Sequence, residues 1–182
     1  MELTDEQIAK NIQGGDSALF AVLIDRYEAK LMRYGRKFLR EDDDVKDAVQ
    51  ETFIKTYMNI QSFDVDRRFS PWIYRIAHNE FVNALKKRKE TVSLSDVDAI
   101  FPHPVAKEKA DDGANSHELK RLLETGLAKL DAKYREPLVL YYFEDMDYKE
   151  IADILHLPVA TVGVRLKRGR EALLKEVGEK SK

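Results

Sequence analysis

Charged side chains in this sequence cluster by sign, and each cluster points to a different chemistry. Residues 86–89 are four consecutive bases, and residues 165–170 hold four bases with no acid between them. Basic side chains neutralise phosphates, and arginine also reaches the acceptor edge of guanine. Residues 41–51 instead hold six acids and one lysine, so they suit a basic protein partner better than a nucleic acid. Any one of these runs can also be a solvated helix face.

Patterns typical of catalysis do not occur in the sequence. Its four histidines are scattered without metal-ligand spacing, it has no cysteine, and it contains neither a phosphate-binding glycine loop nor a nucleophile elbow. No apolar run approaches the roughly 18 residues that a membrane-spanning helix needs. We therefore expect a cytoplasmic protein that is not an enzyme, has no cofactor, metal or small-molecule substrate, and does not insert directly into a membrane.

The elements that must position these clusters are predicted to be helices. Apolar residues recur at helical spacing through residues 1–90, which predicts four helices around one core. Their expected starting signals are a Thr4–Gln7 capping box, an Asp16 cap, the acids 42–44, and a Ser70 cap followed by Pro71. The side chains expected to be buried include Tyr57 and Ile60 of the third helix and Ile73, Ile76, Ala77, Phe81 and Leu85 of the fourth.

The outer side of the fourth predicted helix is a second candidate nucleic-acid surface. By helical periodicity, the residues opposite its apolar stripe are Trp72, Arg75, Asn79, Val82, Asn83 and Lys86. Bases follow a phosphate backbone, amides read base edges, and an aromatic ring stacks on an unpaired base. Trp72 can equally be a half-buried core residue at the start of a helix.

The second half of the chain is predicted to be a tether followed by another helical block. Residues 91–115 hold two prolines, five acids and few apolar residues, which is typical of a flexible acidic linker. The following block is expected to open with an Asn115–Glu118 capping box. Asp131 is expected to cap the next helix, and Pro137 is expected to kink or restart that helix.

The last segment of the chain has the pattern of a helix-turn-helix. A short apolar face formed by Ile151, Ala152 and Leu155 precedes a turn at 156–158, and a longer basic helix is predicted from about Val159 to Val177. An α-helix fits the major groove of DNA, where its arginines reach phosphates and base edges. The alternative is an ordinary pair of helices whose basic side chains are solvated.

Two pairs of stretches in the sequence resemble regions of bacterial sigma factors. Residues 47–57 (DAVQETFIKTY), followed by residues 69–79 (FSPWIYRIAHN), resemble region 2 of the sigma-70 family. Residues 148–162 (YKEIADILHLPVATV), followed by residues 165–173 (RLKRGREAL), resemble region 4. Two such regions joined by a tether resemble the layout of the extracytoplasmic-function, or group IV, class.

The resemblance implies an all-α protein with two small helical domains. These are a four-helix region 2 domain at 1–90 and a helix-turn-helix region 4 domain at 116–182, joined by the flexible linker 91–115. The resemblance implies a sigma factor that binds core RNA polymerase and directs promoter-specific transcription initiation by recognising −10 and −35 elements. The implied partners are the β′ clamp helices and β flap of core polymerase, double- and single-stranded promoter DNA, and an anti-sigma factor.

Individual residues receive expected roles from this resemblance and from the outer side of the fourth helix. Those expected to bind core polymerase are Asp47, Gln50, Glu51 and Tyr57, with Tyr141, Tyr142 and Phe143 near the flap. Those expected at the −10 element are Ser62, Phe63, Asp64, Arg67, Arg68, Trp72, Arg75, Asn79, Asn83 and Lys86. Those expected at the −35 element are Thr161, Val164, Arg165, Lys167 and Arg168.

The chain departs from the family pattern at Gly163, where a basic or polar residue is usual. Glycine removes a side-chain contact there and costs roughly 1 kcal/mol of helix stability relative to alanine. Base readout by a side chain at position 163 is therefore not expected, and DNA shape or phosphate contacts take a larger share of recognition there.

Two alternative functions are open at this point. A stand-alone helix-turn-helix transcriptional regulator, with the first block serving dimerisation or sensing, would bind duplex DNA at symmetric half-sites without polymerase. A pure interaction protein would contact no DNA. Transcription with purified core polymerase separates these alternatives from a sigma factor.

Overall fold

The computed structural model describes residues 3–39, 41–91 and 123–178. Within these ranges the chain forms α-helices, two short 3₁₀ turns and loops, with no strand, so the predicted all-α class is confirmed. No helix in the described ranges is long and apolar enough to cross a membrane. Apart from residue 91, the predicted linker lies outside the described residues, as does the predicted Asn115–Glu118 capping box.

The chain divides into two compact units, one with the helices of the first half and one with most of those of the second half. The α-helices of the first unit are α1 (Asp5–Gln13), α2 (Phe20–Gly35), α3 (Asp42–Asn59) and α4 (Phe69–Thr91), with 3₁₀ turns at Ser17–Leu19 and Ile60–Ser62. α1 begins at the predicted capping box, in which Gln7 N donates to Thr4 Oγ1 at 3.2 Å and Thr4 N donates to Gln7 Oε1 at 2.9 Å. It ends at Gln13, and Gly14 follows as its C-cap.

The expectation that Asp16 caps α2 is wrong. Its side chain makes no capping hydrogen bond, and it precedes the first 3₁₀ turn, whereas α2 begins at Phe20. The reason is the backbone of Asp16, whose φ of −82° and ψ of 72° lie outside the extended conformation usual for a capping residue. The main chain begins the turn instead, because Leu19 N donates to Asp16 O at 3.3 Å.

α3 begins in its acidic cluster as predicted, because carboxylates are stabilised at the positive end of a helix. Its buried residues are Val45, Ala48, Val49, Thr52, Phe53 and Thr56. The two buried threonine hydroxyls each donate at 2.7 Å to a carbonyl one turn earlier, so each keeps a hydrogen bond on burial.

Ile60 is buried as expected, but the expectation that Tyr57 is buried is wrong. Tyr57 is 45% exposed because it lies at the edge of the stripe, where its ring meets Phe20 at 5.0 Å.

α4 begins at Phe69, one residue before the predicted Ser70 cap. Phe69 N donates at 3.0 Å to Glu6 Oε1 of α1, so a carboxylate from another helix satisfies this helix start. The predicted core residues Ile73, Ala77 and Phe81 are buried, whereas Ile76 and Leu85 are half-buried at the edges of the inner face, and Tyr74 is an additional core residue.

The helices of the second half of the chain are one described at 123–129 (α5), α6 (Ala132–Tyr142), α7 (Tyr148–Leu155) and α8 (Val159–Gly178). All of them belong to the second unit except the last three residues of α7. Asp131 caps α6 as predicted, since its Oδ1 accepts from Lys133 N at 3.0 Å. Pro137 was expected to kink or restart α6; the helix runs through it, so it does not restart there. Pro137 is buried, and its ring leaves one backbone hydrogen bond of the helix unmade.

Arg135 of α6 is only 2% exposed. Its Nη2 donates to the carbonyls of Ala128 at 3.2 Å and Leu130 at 2.7 Å. These carbonyls lie at the end of α5, where a helix has no intrahelical donors left to offer them. Burial lowers the pKa of Arg135, but an arginine keeps its proton in proteins, so the cation also suits the negative end of the α5 dipole.

Candidate polymerase and nucleic-acid interfaces

The outer face of α3 is acidic. Asp47 and Gln50 are exposed, and Glu51 is half-buried. Lys55, one turn after Glu51, has its charge compensated within the unit, because its Nζ lies 2.8 Å from Glu80 of α4 and 3.6 Å from Glu51. The hydrogen bond to Glu80 raises the pKa of Lys55 and keeps it protonated. The exposed part of this face is therefore left with negative charge.

Two exposed apolar side chains on the same face were not predicted. Ile54 is 45% exposed and Met58 is 74% exposed. They follow Gln50 at four-residue spacing, which places them on the acidic side of α3 beside exposed Tyr57. The sequence contained this signal, because positions 54 and 58 are apolar yet fall outside the buried stripe. The α3 outer face is defined here as Asp47, Gln50, Glu51, Ile54, Tyr57 and Met58.

Aromatic rings from the segment between α3 and α4 and from the start of α4 pack against one another. Phe63 is 5% exposed, and its ring centroid lies 5.3 Å from that of Phe69 and 5.0 Å from that of Trp72. Phe69 also packs on Trp72, at 5.6 Å. Phe63, predicted as a −10 contact, thus lies in the core and supports the loop. Residues 60–69 are called the α3–α4 loop below.

The tip of the α3–α4 loop is polar and exposed. Asp64, Arg67 and Arg68 are all exposed, as is Ser62 at its start. Asp64 Oδ1 accepts from Asp66 N at 3.1 Å, and Asp64 Oδ2 lies 3.4 Å from Arg67 Nε. These contacts join residues two and three positions apart, so they give the tip a compact conformation. They place Asp64 close to Arg67, and both are predicted −10 residues.

The outer side of α4 continues from the loop along the helix. The residues of this side that are exposed, as predicted, are Arg75, Asn79, Asn83 and Lys86, at three- and four-residue spacing. Val82, also predicted on this side, is half-buried. Trp72 is half-buried, with one part of its ring against the core phenylalanines. The surface can therefore offer a partly accessible aromatic ring, two amides and two bases on one line.

Local hydrogen bonds define both ends of α7. Asp147 Oδ1 accepts from two N–H groups of the first turn at 2.7 and 2.9 Å, and Glu150 Oε2 accepts from Asp147 N at 2.8 Å. At the other end His156 adopts a left-handed φ of 53°, and Leu157 N donates to Ala152 O at 3.0 Å. The predicted short helix, three-residue turn and long helix are confirmed.

α8 turns its basic side toward solvent. Val162 and Leu166 are 0% and 1% exposed, so they anchor the helix on its inner side. Of the five predicted −35 residues, those exposed are Val164, Lys167 and Arg168, and those half-buried are Thr161 and Arg165. The helix therefore presents both cationic side chains and an apolar one to a potential groove.

Two glycines of α8 lie beside other helices. An added Cβ at Gly163 would lie 3.6 Å from the Tyr148 ring of α7, an ordinary contact distance. At Gly169 it would lie 3.0 Å from Leu138 Cδ1 and 3.2 Å from Tyr134 O. The close approach of α6 and α8 therefore leaves little room for a side chain at 169, whereas a Cβ at 163 would make only an ordinary contact.

Aromatic residues form an exposed patch at the end of α6. Tyr142 is 54% exposed and Phe143 is 58% exposed. Tyr141 is half-buried, with its ring 5.5 Å from Tyr148. Arg170 Nη1 donates to Tyr142 Oη at 3.5 Å, so a base of α8 borders the patch.

Metal-binding geometry is missing from the part of the chain that the structure describes. It contains no cluster of three or more His, Cys, Asp or Glu side chains that could hold an ion. His78 packs its ring on Phe38 at 6.2 Å, and His156 forms the turn after α7. The other two histidines, His103 and His117, lie outside the described residues.

Comparisons with known proteins agree with this geometry. Family models for sigma-70 region 2 and sigma-70 region 4 match residues 23–91 and residues 120–173. The chain is 35% identical over 187 aligned positions to the ECF RNA polymerase sigma factor SigW of Bacillus subtilis, covering 97% of this chain and 98% of that protein. It is 35% identical over 179 positions to the ECF RNA polymerase sigma-E factor of Escherichia coli K12, covering 94% and 93%.

Two solved structures share the fold. CnrH, solved in complex with the cytosolic domain of CnrY, matches with a TM-score of 0.67 and 26% identity over 96% of this chain and 97% of that chain. The sigma factor RpoE of Bartonella quintana, solved with the anti-sigma factor NepR, matches with a TM-score of 0.72 and 24% identity over 87% and 96%. The chain therefore belongs to the extracytoplasmic-function class of RNA polymerase sigma factors, non-enzymatic proteins that direct promoter-specific transcription initiation.

Proposed function

We propose that the α3 outer face is the part of this sigma factor that binds core RNA polymerase, at the β′ clamp helices. Exposed apolar side chains surrounded by charged ones are typical of a protein interface, with an apolar centre and a polar rim. Ile54 and Met58 supply the centre, and Asp47 and Glu51 supply negative charge for a basic partner. The combination of exposed apolar and acidic groups on one helix face is the observation that carries this assignment.

The −10 element is assigned to the tip of the α3–α4 loop and the outer side of α4. An extruded base loses its stacking, which costs a few kcal/mol, so the receiving surface must offer a ring and hydrogen-bonding partners. Trp72, Asn79 and Asn83 supply those groups, while Arg67 and Arg68 suit the phosphates. Ser62, Asp64, Arg75 and Lys86 complete the proposed surface.

The −35 element is assigned to α8, with its basic side in the major groove. Lys167 and Arg168 are placed for phosphates or base edges, and Thr161 and Arg165 border them. Val164 is 50% exposed and suits the methyl group of a thymine. Because much of this affinity is electrostatic, binding should fall steeply with salt.

The remaining assignments concern domains, location and regulation. We assign residues 1–90 to region 2, 91–115 to a flexible linker and 116–182 to region 4, in a cytoplasmic protein. The aromatic patch of Tyr141, Tyr142 and Phe143 is assigned to the β flap. An anti-sigma factor is a further proposed partner, since the structural neighbour RpoE of Bartonella quintana was solved with the anti-sigma factor NepR.

Transcription with purified core polymerase tests this function. The template is a library with randomised sequence upstream of a reporter, and the transcripts are sequenced. Adding the chain should produce transcripts that start downstream of two enriched boxes at a fixed spacing.

A stand-alone regulator is not favoured, because α2 to α4 match region 2. It would gain support if the chain bound symmetric duplex sites without core and gave no specific transcript.

A further inference from the structure

The α3–α4 loop is hydrogen-bonded at both ends to α1, all of which precedes the region 2 match at 23–91. Near its start, Gln13 Nε2 donates to the carbonyls of Ile60 at 2.7 Å and Phe63 at 2.8 Å. Gln61 Nε2 donates in return to Gln13 O at 3.3 Å. At its end, Glu6 Oε1 accepts from Phe69 N at 3.0 Å.

These bonds match the needs of the backbone groups that they satisfy. The amide of Gln13 has two N–H donors, and the loop takes both of them. The N–H of Phe69 stands at the start of α4, where it lacks an intrahelical acceptor and where the helix dipole favours a carboxylate such as Glu6. Gln13 and Glu6 are both half-buried, so water competes only in part for these contacts.

α1 is itself a firm support. Ile8, Ala9 and Ile12 are buried in the unit. Asp5 accepts hydrogen bonds at 2.6 Å from Arg26 and from the Tyr27 hydroxyl of α2. The support therefore extends from α2 through α1 to both ends of the loop, while the tip of the loop stays exposed.

We propose that Gln13 and Glu6 are positioning residues for −10 recognition, which hold the α3–α4 loop in the conformation that receives unpaired bases. The inference rests on the proposed −10 function of this loop. Neither residue contacts DNA in this account; each acts through the loop backbone. If the loop adopted the receptive conformation only part of the time, its apparent affinity for single-stranded DNA would fall in proportion to the fraction of molecules in that conformation.

Trp72 makes the loop directly observable. It is the only tryptophan in the sequence, and its ring packs on Phe63 and Phe69, the two rings that close the loop. Quenching of tryptophan fluorescence by acrylamide in the full-length chain therefore reports loop loosening without any DNA. A purely structural contribution elsewhere in the unit would not change this signal under folding conditions.

Gln13→Met is the main test variant, because it keeps the side-chain length and removes both donors. We expect stronger acrylamide quenching of Trp72 and about a tenfold loss in the affinity of the holoenzyme for a single-stranded oligonucleotide that bears the −10 box from the library. Affinity for core polymerase and for duplex −35 DNA should stay within about twofold. Asn11→Met, an exposed position on α1, is the matched control and should change none of these values.

Glu6 offers a rescue test. Glu6→Met removes the acceptor and should weaken binding of the oligonucleotide by about fivefold, whereas Glu6→Gln keeps an acceptor oxygen and should stay within about twofold. Unchanged oligonucleotide affinity in Gln13→Met would overturn the inference, whether or not quenching changes. Equal losses in core, duplex and single-strand binding would also overturn it, because they indicate general destabilisation.

Failure of the proposed function would look different. In that case the wild-type holoenzyme would not distinguish the −10 oligonucleotide from a scrambled one, and the inference would fall with the function. If the wild type distinguishes them and Gln13→Met binds equally well, the −10 function stands and only the positioning role is rejected.

Discussion

The two units of this sigma factor hold their candidate DNA surfaces with hydrogen bonds of different reach. In the first unit, the bonds from Gln13 and Glu6 to the α3–α4 loop join residues 47 to 63 positions apart. In the second unit, the bonds at Asp147 join residues two or three positions apart. The start of α7 in the helix-turn-helix is therefore stabilised by neighbouring residues, whereas the conformation of the α3–α4 loop depends on a helix distant in sequence.

This difference has a physical consequence for each surface. A local cap forms as soon as its helix forms, so it adds stability without needing the rest of the domain. A long-range bond forms only after the core has assembled, and it is lost when either partner helix shifts. The surface assigned to unpaired bases should therefore be the more sensitive of the two to changes far away in sequence.

The largest expected effect comes from Arg135, an exception to the local pattern of the second unit. Arg135→Ala removes a buried side chain and leaves the Ala128 and Leu130 carbonyls without this donor, so we expect a loss of about 3 kcal/mol in the unfolding free energy. Urea denaturation of the full chain checks this. Lys133→Ala on the same helix, where an exposed pair with Asp131 is lost, should cost less than about 1 kcal/mol. Equal losses in the two variants would contradict the capping role of Arg135.

The next effect concerns the two glycines of α8. Gly169→Ala should destabilise the chain by about 2 kcal/mol, because the new Cβ would press on Leu138 and on the Tyr134 carbonyl. Gly163→Ala should stabilise it by about 1 kcal/mol, because alanine favours the helix and meets Tyr148 at an ordinary distance. Thermal denaturation of both variants gives the sign of each change in stability. Changes of the same sign in both would contradict the close packing of α6 and α8 at Gly169.

The stability of the first unit should depend on pH through Tyr27, which donates a hydrogen bond to Asp5 of α1. Burial, then the hydrogen bond to Asp5, raises the pKa of Tyr27 above its ordinary value of 10.0. The unfolded chain therefore ionises Tyr27 first, so its contribution to stability is complete below about pH 10 and declines as the pH rises further, by up to about 1.4 kcal/mol per unit. Tyr27→Phe should make the decline in unfolding free energy above pH 10 shallower. Parallel wild-type and variant curves would rule out this linkage.

The smallest effects are expected at the two capping boxes. Thr4→Ala and Asp147→Ala should each lower the unfolding free energy by about 1 kcal/mol, since each removes a side-chain acceptor at a helix start. Hydrogen exchange should place the loss in the first turn of α1 and of α7 respectively. Asp16→Ala is the matched control, because Asp16 makes no capping hydrogen bond, and it should change stability by less than about 0.5 kcal/mol.

Sequence reasoning predicted the parts of the fold whose causes are local. The capping box at Thr4 was predicted because its two partners lie within three residues of each other. The turn at 156–158 and the extent of α8 were predicted because apolar spacing and proline mark them. The Asp16 cap failed because a capping residue also needs a particular backbone conformation, which the residue type alone does not determine.

The candidate surfaces were predictable as helix faces but not in their supports. A glutamine such as Gln13 or an arginine such as Arg135 has the same appearance in sequence whether it is solvated or holds a distant carbonyl. Tyr57 was misplaced because a residue at the edge of an apolar stripe can lie on either side of the boundary. Ile54 and Met58 were visible as apolar residues off that stripe, which is a usable signal for an interface.

The affinity of core polymerase for two charge variants tests the division of labour most directly. Asp47→Lys combined with Glu51→Lys reverses the charge of the α3 outer face, while Lys55 keeps its 2.8 Å pair with Glu80. We predict that this variant stays folded and loses at least about a hundredfold in core affinity, because like charges would meet. Arg165→Ala combined with Arg168→Ala should retain core affinity within about threefold and lose −35-dependent transcription. Normal core binding by the reversed variant would contradict the account.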